Sequence, residues 1–499
     1  MKPRAFKFMF FIIIIILIII ALFILYINGD ENTVRAEGKK LDSVISNNLS
    51  IGLVNFDSLN PHISQNQDVQ YISKLIYKDL IGISENFELV PSLAKEWSEI
   101  SANVYIIKLN ENEYWHNGEK FTAKDIEFTI SKLKSETLNS IYKENVKNIE
   151  NVEIIDDYTL KIHTYEDEDF FEYNLCIPIL KYNSEDEIIG TGDYKVREIT
   201  NNYIILEKTK ENNVPRKIRI NLYNSYSELY SAFSQEKVDI ITTSNINFNN
   251  FVGTIDLNEE KIRGRELIYL KINTSEDINI RKAISCAINK DEIIYKVFNN
   301  KYFCADNPLD NGNYLGQTNN QDDYNLNNAK KYIMSSGWKE NNGVWIRNKN
   351  ILNMNLNIRK DNENHSKIAQ ELKTQLEKAG IKIDIVELSE KDYNYKMEDN
   401  SYEMILCEDI LPIFPDINKY LNTDDVEVRK LLDKAVYVKD IEILKETYKE
   451  ILEQYKDEKS IKCLSFNSII ILHNSNVKGN FKGNWYNIFY NIDTWYKDL

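Results

Sequence analysis

The sequence has few of the residues that metalloproteins and redox enzymes arrange at fixed spacings. Its 499 residues include only five histidines and five cysteines. The cysteines never form the C-x-x-C pair that zinc and dithiol sites commonly use, and they are far apart: Cys176, Cys286, Cys304, Cys407 and Cys463. We therefore expect no built metal site, no cofactor and no framework of disulfides.

The chain also lacks the short motifs that mark common enzyme classes. It contains no G-x-S-x-G, no H-E-x-x-H and no glycine-rich phosphate loop, so serine hydrolase, metalloprotease and nucleotide sites are not indicated. Its formal net charge of -16 at pH 7 is spread along the whole length, which would repel nucleic-acid phosphates. We expect a protein that is not an enzyme and has no nucleic-acid partner.

One long uncharged apolar run stands out near the N-terminus. Phe8 to Ile27 contains no charged residue, and as a helix it would extend about 30 Å, one hydrocarbon thickness. Three basic residues precede it and two acidic residues follow it, so the short N-terminus is expected in the cytoplasm. A signal peptide cleaved near Val34–Ala36 is the alternative.

These features predict a single-pass protein of the cell membrane with most of the chain extracytoplasmic. Residues 1–29 form the cytoplasmic tip and transmembrane anchor in this interpretation. Residues 30–48 are polar and mixed in charge, which is typical of a stalk that holds a folded body away from the bilayer.

The remaining chain is too long for one hydrophobic core and mixes strand and helix patterns. Val104–Leu109 reads as a strand, and Asn117-Gly118 is a dipeptide that favours a tight hairpin turn. Thr122 and Asp125 have the spacing of a capping box that opens a helix. This segment predicts a strand, a turn, a second strand and a capped helix.

Helix and strand patterns alternate again further along. Apolar positions recur on one face from Ile280 to Phe298, and from Ile368 to Ala379 before a stop at Gly380. The following segment, Ile381 to Leu388, alternates with the period of a strand. The fold class predicted from these patterns is α/β.

Several motifs occur in an order that is informative as a series. They are LNPH at residues 59–62, LVPSLAKEW at 89–97, WHNGEKFTAKDIEF at 115–128, GTGDYKV at 190–196 and IRKAISCAINKDEI at 280–293. The series resembles the family 5 bacterial solute-binding proteins, which are the oligopeptide, dipeptide and nickel receptors of ABC importers. The resemblance implies a periplasmic-binding-protein-like fold of type II, cluster C-like, in which two main lobes are joined by a hinge and an extra second lobe is added.

The resemblance also implies the division of the chain. Lobe I is expected to be discontinuous and lobes II and III continuous, with lobe I at 45–82, 187–268 and 470–499, lobe II at 83–186 and lobe III at 269–469. The crossings between lobes I and III would form the hinge, and closure around a ligand is the motion that such connections allow.

The function implied is a monomeric receptor that captures a peptide or similar small solute and delivers it to an ABC permease. Two alternatives remain open. One is a membrane-anchored sensor or interaction protein that kept the fold but not transport. The other is a receptor for a nickel chelate.

Candidate ligand-binding residues come from loops at strand ends and from the segment that matches the family's cleft. They are Gln65, Asn66, Asp68, Thr243, Ser244, Asn245, Tyr269, Cys407, Glu408 and Asp409. By resemblance, the position of the family's amine-binding aspartate falls on Ile413 in this chain. Asp409 or Glu408 would take its place if the loop carries an insertion.

Overall fold

The computed structural model describes residues 33–34, 45–46, 48–184, 187–210, 215–309, 315, 324–414, 416–421, 423 and 425–498. The predicted anchor, residues 1–29, and most of the predicted stalk lie outside these ranges. Over the ranges that are described, no helix combines the length and the apolar character needed to cross a bilayer.

Strands account for much of the chain. They are β1 Thr33–Val34, β2 Ile45–Ser46, β3 Asn48–Val54, β4 Gly82–Ile83, β5 Leu89–Val90, β6 Ala94–Ser101, β7 Val104–Leu109, β8 Ile149–Asp156, β9 Thr159–Thr164, β10 Tyr194–Ile199, β11 Tyr203–Lys208, β12 Lys217–Tyr223, β13 Ile240–Thr243, β14 Leu257–Ile272, β15 Phe303–Cys304, β16 Lys339–Asn341, β17 Val344–Arg347, β18 Asn350–Ile351, β19 Asn353–Arg359, β20 Lys382–Leu388, β21 Met404–Ile410, β22 Ile461–Asn474, β23 Val477–Lys478 and β24 Tyr496–Asp498.

The α-helices alternate with these strands. They are α1 Gln67–Ile76, α2 Ala123–Leu133, α3 Tyr226–Ser234, α4 Asn249–Val252, α5 Ile278–Ala287, α6 Lys290–Phe298, α7 Leu326–Ser335, α8 Glu363–Lys378, α9 Glu390–Glu398, α10 Val426–Ala435 and α11 Ile441–Tyr455.

One large mixed sheet runs through the molecule. Its strand order is β10-β11-β12-β3-β13-β22-β14-β21-β19-β20, and β15 also pairs with β22. At its centre the longest strands, β14 with 16 residues and β22 with 14, pair antiparallel. We call these two strands the crossing pair, because the sheet is continuous from one side of the molecule to the other only through them.

The three largest hydrophobic clusters of the described residues pack around this sheet and beside it, and we call them the first, second and third cores. The first core lies between α1 and strands β3 and β10–β13, and it buries Ile51 and Tyr194. The second core lies under the four-stranded sheet β6-β7-β9-β8 and helix α2. The third core packs α5, α6 and α8 against β19 and β21. The α/β class is therefore confirmed, whereas the lobe boundaries stay a prediction.

The segment expected as one helix from Ile280 to Phe298 is two helices, so that prediction was wrong. Helix α5 ends at Ala287 and α6 begins at Lys290. Asn289 lies between them, and its Oδ1 accepts a hydrogen bond of 3.1 Å from the backbone N–H of Glu292. An asparagine that caps the following turn competes with continuation of the preceding helix, which the apolar periodicity alone does not reveal.

Strand β7 has the predicted bounds. The segment that follows this strand is organised around the side chain of Asp125. Its carboxylate accepts hydrogen bonds from the backbone N–H of Thr122 at 2.8 Å and of Tyr182 at 2.9 Å. It also accepts one from Trp115 Nε1 at 3.3 Å. Asp125 is 4% exposed, so this carboxylate joins the turn, the start of α2 and a distant loop from inside the second core.

Replacing Asp125 with alanine should destabilise the second core. One buried donor, Trp115 Nε1, and two part-buried backbone donors would lose their acceptor, and we expect the free energy of unfolding to fall by about 1–3 kcal/mol. Urea denaturation of D125A measures this change. The matched control is D157A, because Asp157 is an exposed aspartate near the same helix. Equal stability of D125A and D157A would contradict the role given to the buried carboxylate.

Candidate ligand-binding site

The crossing pair is interrupted by a bulge at the middle of the molecule. Arg263 pairs with Ser468 and Leu267 pairs with Phe466, so the three residues 264–266 face the single residue Asn467. Extra residues on one strand bend it and turn its side chains to new directions. The bulge therefore separates the part of the crossing pair beside the first core from the part beside the third.

Gly264 and Asn467 fix the geometry of this bulge. Asn467 Oδ1 accepts a hydrogen bond of 3.0 Å from the backbone N–H of Glu266. A Cβ atom at residue 264 would lie 2.0 Å from the same Oδ1, so only glycine allows this approach without a shift.

A cavity of about 320 Å³ lies against the bulge, between the first and second cores. Helix α1 lines it with Gln67, Gln70, Tyr71 and Lys74, and the loop after β13 contributes Ser244. The crossing pair contributes residues 264–265 and 467–469.

The other walls of the cavity come from the second core, from the segment after β21 and from the C-terminal segment. Their residues are Ile141, Tyr142, Asn145, Cys176, Ile413, Trp485 and Tyr486. The volume is at the lower end of the range of about 300–1,000 Å³ that is usual for small-ligand pockets. Aromatic faces combined with a few amide and charged groups are also usual in such pockets.

The charge of the lining is positive, although the chain as a whole is acidic. Its charged side chains are Lys74 and Arg265, and the described lining includes no aspartate or glutamate. Lys74 is neutralised by Asp79 from behind the wall, at an N–O distance of 2.8 Å. The guanidinium of Arg265 lies 5.0 Å from the centre of the Trp485 ring, and partial burial lowers its pKa without removing its charge.

The LNPH motif supports two of the lining residues. Gln70 Nε2 donates to the carbonyl of Pro61 at 2.8 Å, and Gln70 Oε1 accepts from the hydroxyl of Tyr142 at 3.0 Å. His62 Nε2 lies 2.8 Å from the carbonyl oxygen of Pro178, and burial lowers the pKa of His62 to about 4. A neutral, buried histidine therefore joins the first and second cores behind the cavity wall.

Among the predicted ligand-binding residues, Ser244 lines the cavity. Around the start of α1, Asn66 Oδ1 caps the helix by accepting from the N–H of Asp68 at 2.9 Å. The carboxylate of Asp68 accepts from Thr242 Oγ1 at 2.7 Å. Gln65 is exposed and its Nε2 donates to the carbonyl of Asn139 at 3.0 Å.

The two residues beside Ser244 have local structural contacts. Thr243 is buried and its hydroxyl lies 2.6 Å from the hydroxyl of Tyr230. Asn245 Oδ1 accepts from the N–H of Asn247 at 2.9 Å. Both side chains therefore shape the loop that carries Ser244.

The other four predicted residues lie on β14 and β21, on the third-core side of the bulge. Tyr269 donates to Asp409 Oδ2 at 2.6 Å, and burial raises the pKa of the Cys407 thiol to about 11. Glu408 accepts from Asn362 Nδ2 at 2.7 Å. Ile413, where the resemblance places the family's amine-binding aspartate, lines the cavity.

The interpretation of the sequence missed Arg265, Trp485 and Tyr486. A glycine inside an apolar strand pattern marks a bulge or a close backbone approach, so Gly264 next to Arg265 was the available signal. The C-terminal aromatic pair carried no comparable signal, because its partners are about 200 to 400 residues away in the sequence.

Glu266, the residue after Arg265, forms a separate acidic pair with Glu408. Burial, followed by the charge of Glu408, raises the pKa of Glu266 to about 7. The ring of His365, whose Nε2 lies 3.5 Å from Glu408 Oε2, together with the hydrogen bond from Asn362, lowers the pKa of Glu408. One proton is therefore shared by two carboxyl groups over part of the pH range.

This pair predicts a pH-dependent loss of stability. The folded-state pKa of Glu266 is above its ordinary value of 4.5, so its contribution to stability is highest below that value and is lost as the pH rises towards 7. E266Q removes the ionisation, and we expect its stability relative to wild type to rise by about 1–2 kcal/mol between pH 5 and pH 8.

Urea unfolding at the two pH values measures this difference. The control is E260Q, because Glu260 is exposed on the same strand. If the free energies of unfolding of wild type, E266Q and E260Q change in parallel with pH, the acidic pair does not titrate in this way.

Comparison with known proteins identifies the family. The profile of the bacterial extracellular solute-binding proteins, family 5 Middle, matches residues 88–431. The chain belongs to this family. The solute-binding protein is 23% identical over 477 residues to the oligopeptide-binding protein AppA of Bacillus subtilis (strain 168), an alignment that covers 85% of this chain and 87% of that protein.

Solved structures show the same fold. A nickel ABC transporter structure from Bacillus halodurans matches with a TM-score of 0.78 and 19% identity, covering 91% of this chain and 100% of that one. NikZ from Campylobacter jejuni in complex with Ni(L-His) matches with a TM-score of 0.59 and 21% identity, covering 90% and 99%. The solute-binding protein therefore has the α/β periplasmic-binding-protein-like fold that its motif series implied.

Proposed function

We propose that this protein is an extracytoplasmic receptor of an ABC importer. It captures a peptide or a similarly sized solute in the cavity at the bulge and delivers it to a permease, without chemical change of the ligand. The observation that carries the proposal is the position of the cavity. Its walls come from the first and second cores and from the crossing pair, which continues to the third core.

The lining supports a ligand with peptide-like chemistry. Gln67, Gln70 and Asn145 offer amide groups, and Tyr142 and Trp485 offer aromatic faces. Amide groups pair with the backbone N–H and C=O groups of a peptide, and aromatic faces pack on its side chains. A volume of about 320 Å³ suits a short peptide or a compact chelate better than a long peptide.

Contacts that join the second core to the segments after β21 and before α11 support closure of the molecule around the ligand. Lys439 Nζ, just before α11, lies 3.0 Å from Asp167 and 3.1 Å from Glu99 beside the second core. The rings of Phe170 and Phe414 stack with centroids 4.4 Å apart. These contacts join segments on opposite sides of the bulge, as hinge closure requires.

A nickel chelate is the second candidate ligand, because structural relatives are described with nickel or with Ni(L-His). In the described part of this chain, no three histidine, cysteine or acidic side chains are grouped to hold a metal ion. A metal would therefore enter as cargo that is held through its chelator.

We also propose that the protein acts as a monomer and keeps its N-terminal anchor. The uncharged run from Phe8 to Ile27 supports an uncleaved transmembrane helix. The intact mass of the chain extracted from membranes tests this proposal, since a chain that begins after Ala36 would contradict it.

Binding by the full chain in detergent tests the proposed function. We expect isothermal calorimetry with pools of di- and tripeptides, and with nickel–histidine, to give a saturable signal for at least one probe. Native mass spectrometry should show a single ligand per chain. Bovine serum albumin at the same concentration is the control for nonspecific uptake, and a chain that binds none of these probes would contradict reception.

A further inference from the structure

The cavity offers positive charge without a compensating acid in its lining. Of its two cations, Lys74 is already paired, because Asp79 lies 2.8 Å from its Nζ and also accepts from the hydroxyl of Tyr486 at 2.7 Å. The uncompensated charge in the lining is therefore that of Arg265.

Arg265 makes no side-chain hydrogen bond and no ion pair to the residues that the structure describes. Its guanidinium lies over the Trp485 ring, with 5.0 Å to the ring centre. A guanidinium placed over an aromatic face keeps its N–H donors in a planar fork, and this fork matches the two oxygens of a carboxylate.

The bulge keeps the neighbouring acid away from this arginine. Glu266 follows Arg265 directly, but its carboxyl group interacts with Glu408, on the strand that pairs with β14 on the side of the third core. Ile413 adds an apolar side chain to the cavity wall. The described lining therefore holds no anionic group that would pair with a ligand ammonium group.

Two further donors at the wall are unsatisfied. Ser468 Oγ and Trp485 Nε1 are buried and have no hydrogen-bond partner among the described residues, and both residues line the cavity. A buried donor without an acceptor is unfavourable. Both atoms are covered by protein, so neither is assigned to the ligand, and the proposal rests on Arg265.

We propose that Arg265 binds a carboxylate of the ligand, so that this receptor selects a free carboxylate and does not require a free α-ammonium group. The inference rests on the proposed function. The carboxylate belongs either to the C-terminus of a peptide or to the amino-acid chelator of a metal complex, and the two sources are separated by the probes below.

Blocked peptides test the selection directly. The full chain in detergent is titrated with three tripeptide pools that are unblocked, N-acetylated or C-terminally amidated, and with nickel–histidine. We expect the N-acetylated pool to bind within about threefold of the unblocked pool. The amidated pool should bind roughly 10- to 100-fold more weakly, as for loss of a hydrogen bond to a charged group.

Three variants test the arginine itself. R265M keeps an apolar stem over Trp485 and should lose the same 10- to 100-fold for unblocked peptide, or for nickel–histidine if that is the probe that binds. R265K keeps the charge and should recover part of the loss. R197Q removes an exposed arginine of β10 and should bind like wild type. Urea unfolding checks that R265M is folded.

The outcomes separate the two proposals. Loss of binding on N-acetylation, with amidated peptide bound normally, would overturn the carboxylate assignment and leave the receptor function standing. Wild-type affinity in folded R265M would also overturn it. If no probe binds wild type, the receptor function itself fails. Peptide binding that depends on Arg265 supports a C-terminal carboxylate, and nickel–histidine binding that depends on it supports a chelator carboxylate.

Discussion

The crossing pair is the constraint on which the rest of this structure depends. Strands β14 and β22 pair over most of their length, and their register shifts around residues 264–266. The shift is stabilised by one side chain, Asn467, against a glycine. Because regular pairing stops there, the bulge is where the strands bend most easily, and the same residues line the cavity. The bulge therefore lies in the wall of the cavity to which we assign the ligand.

The bulge also separates charges in a chain with a formal net charge of -16. Arg265 faces the cavity, and the next residue, Glu266, interacts with Glu408 instead. In regular pairing successive side chains alternate between faces, and the bulge adds the local bend that brings Arg265 beside Trp485. An acidic protein thereby keeps a cavity lining with positive charge, which opposes capture of cations and favours anionic groups.

The sequence predicted the scaffold better than the site, and the reason is sequence separation. Strand β7 and the Asp125 capping contact depend on neighbours a few residues away, so local patterns were sufficient. The bulge that places Arg265 depends on the hydrogen bond between Glu266 and Asn467, which are 201 residues apart, and no local pattern encodes it. Polar residues at strand ends, such as Thr243 and Asn245, stay predicted ligand contacts, and their side chains make hydrogen bonds to Tyr230 and Asn247. Asn289 divided one predicted helix because a cap outweighed the apolar periodicity.

The most direct test of closure about the bulge is small-angle scattering with and without a saturating ligand. The sample is the folded part of the chain without the N-terminal apolar run, so that no detergent is needed. A chain of this size has a radius of gyration of about 20–25 Å when compact. If the halves move about the crossing pair, the ligand-bound form should have a smaller radius and a shorter maximum dimension than the free form. Identical scattering curves at full occupancy would contradict a hinge at the bulge and leave a rigid pocket.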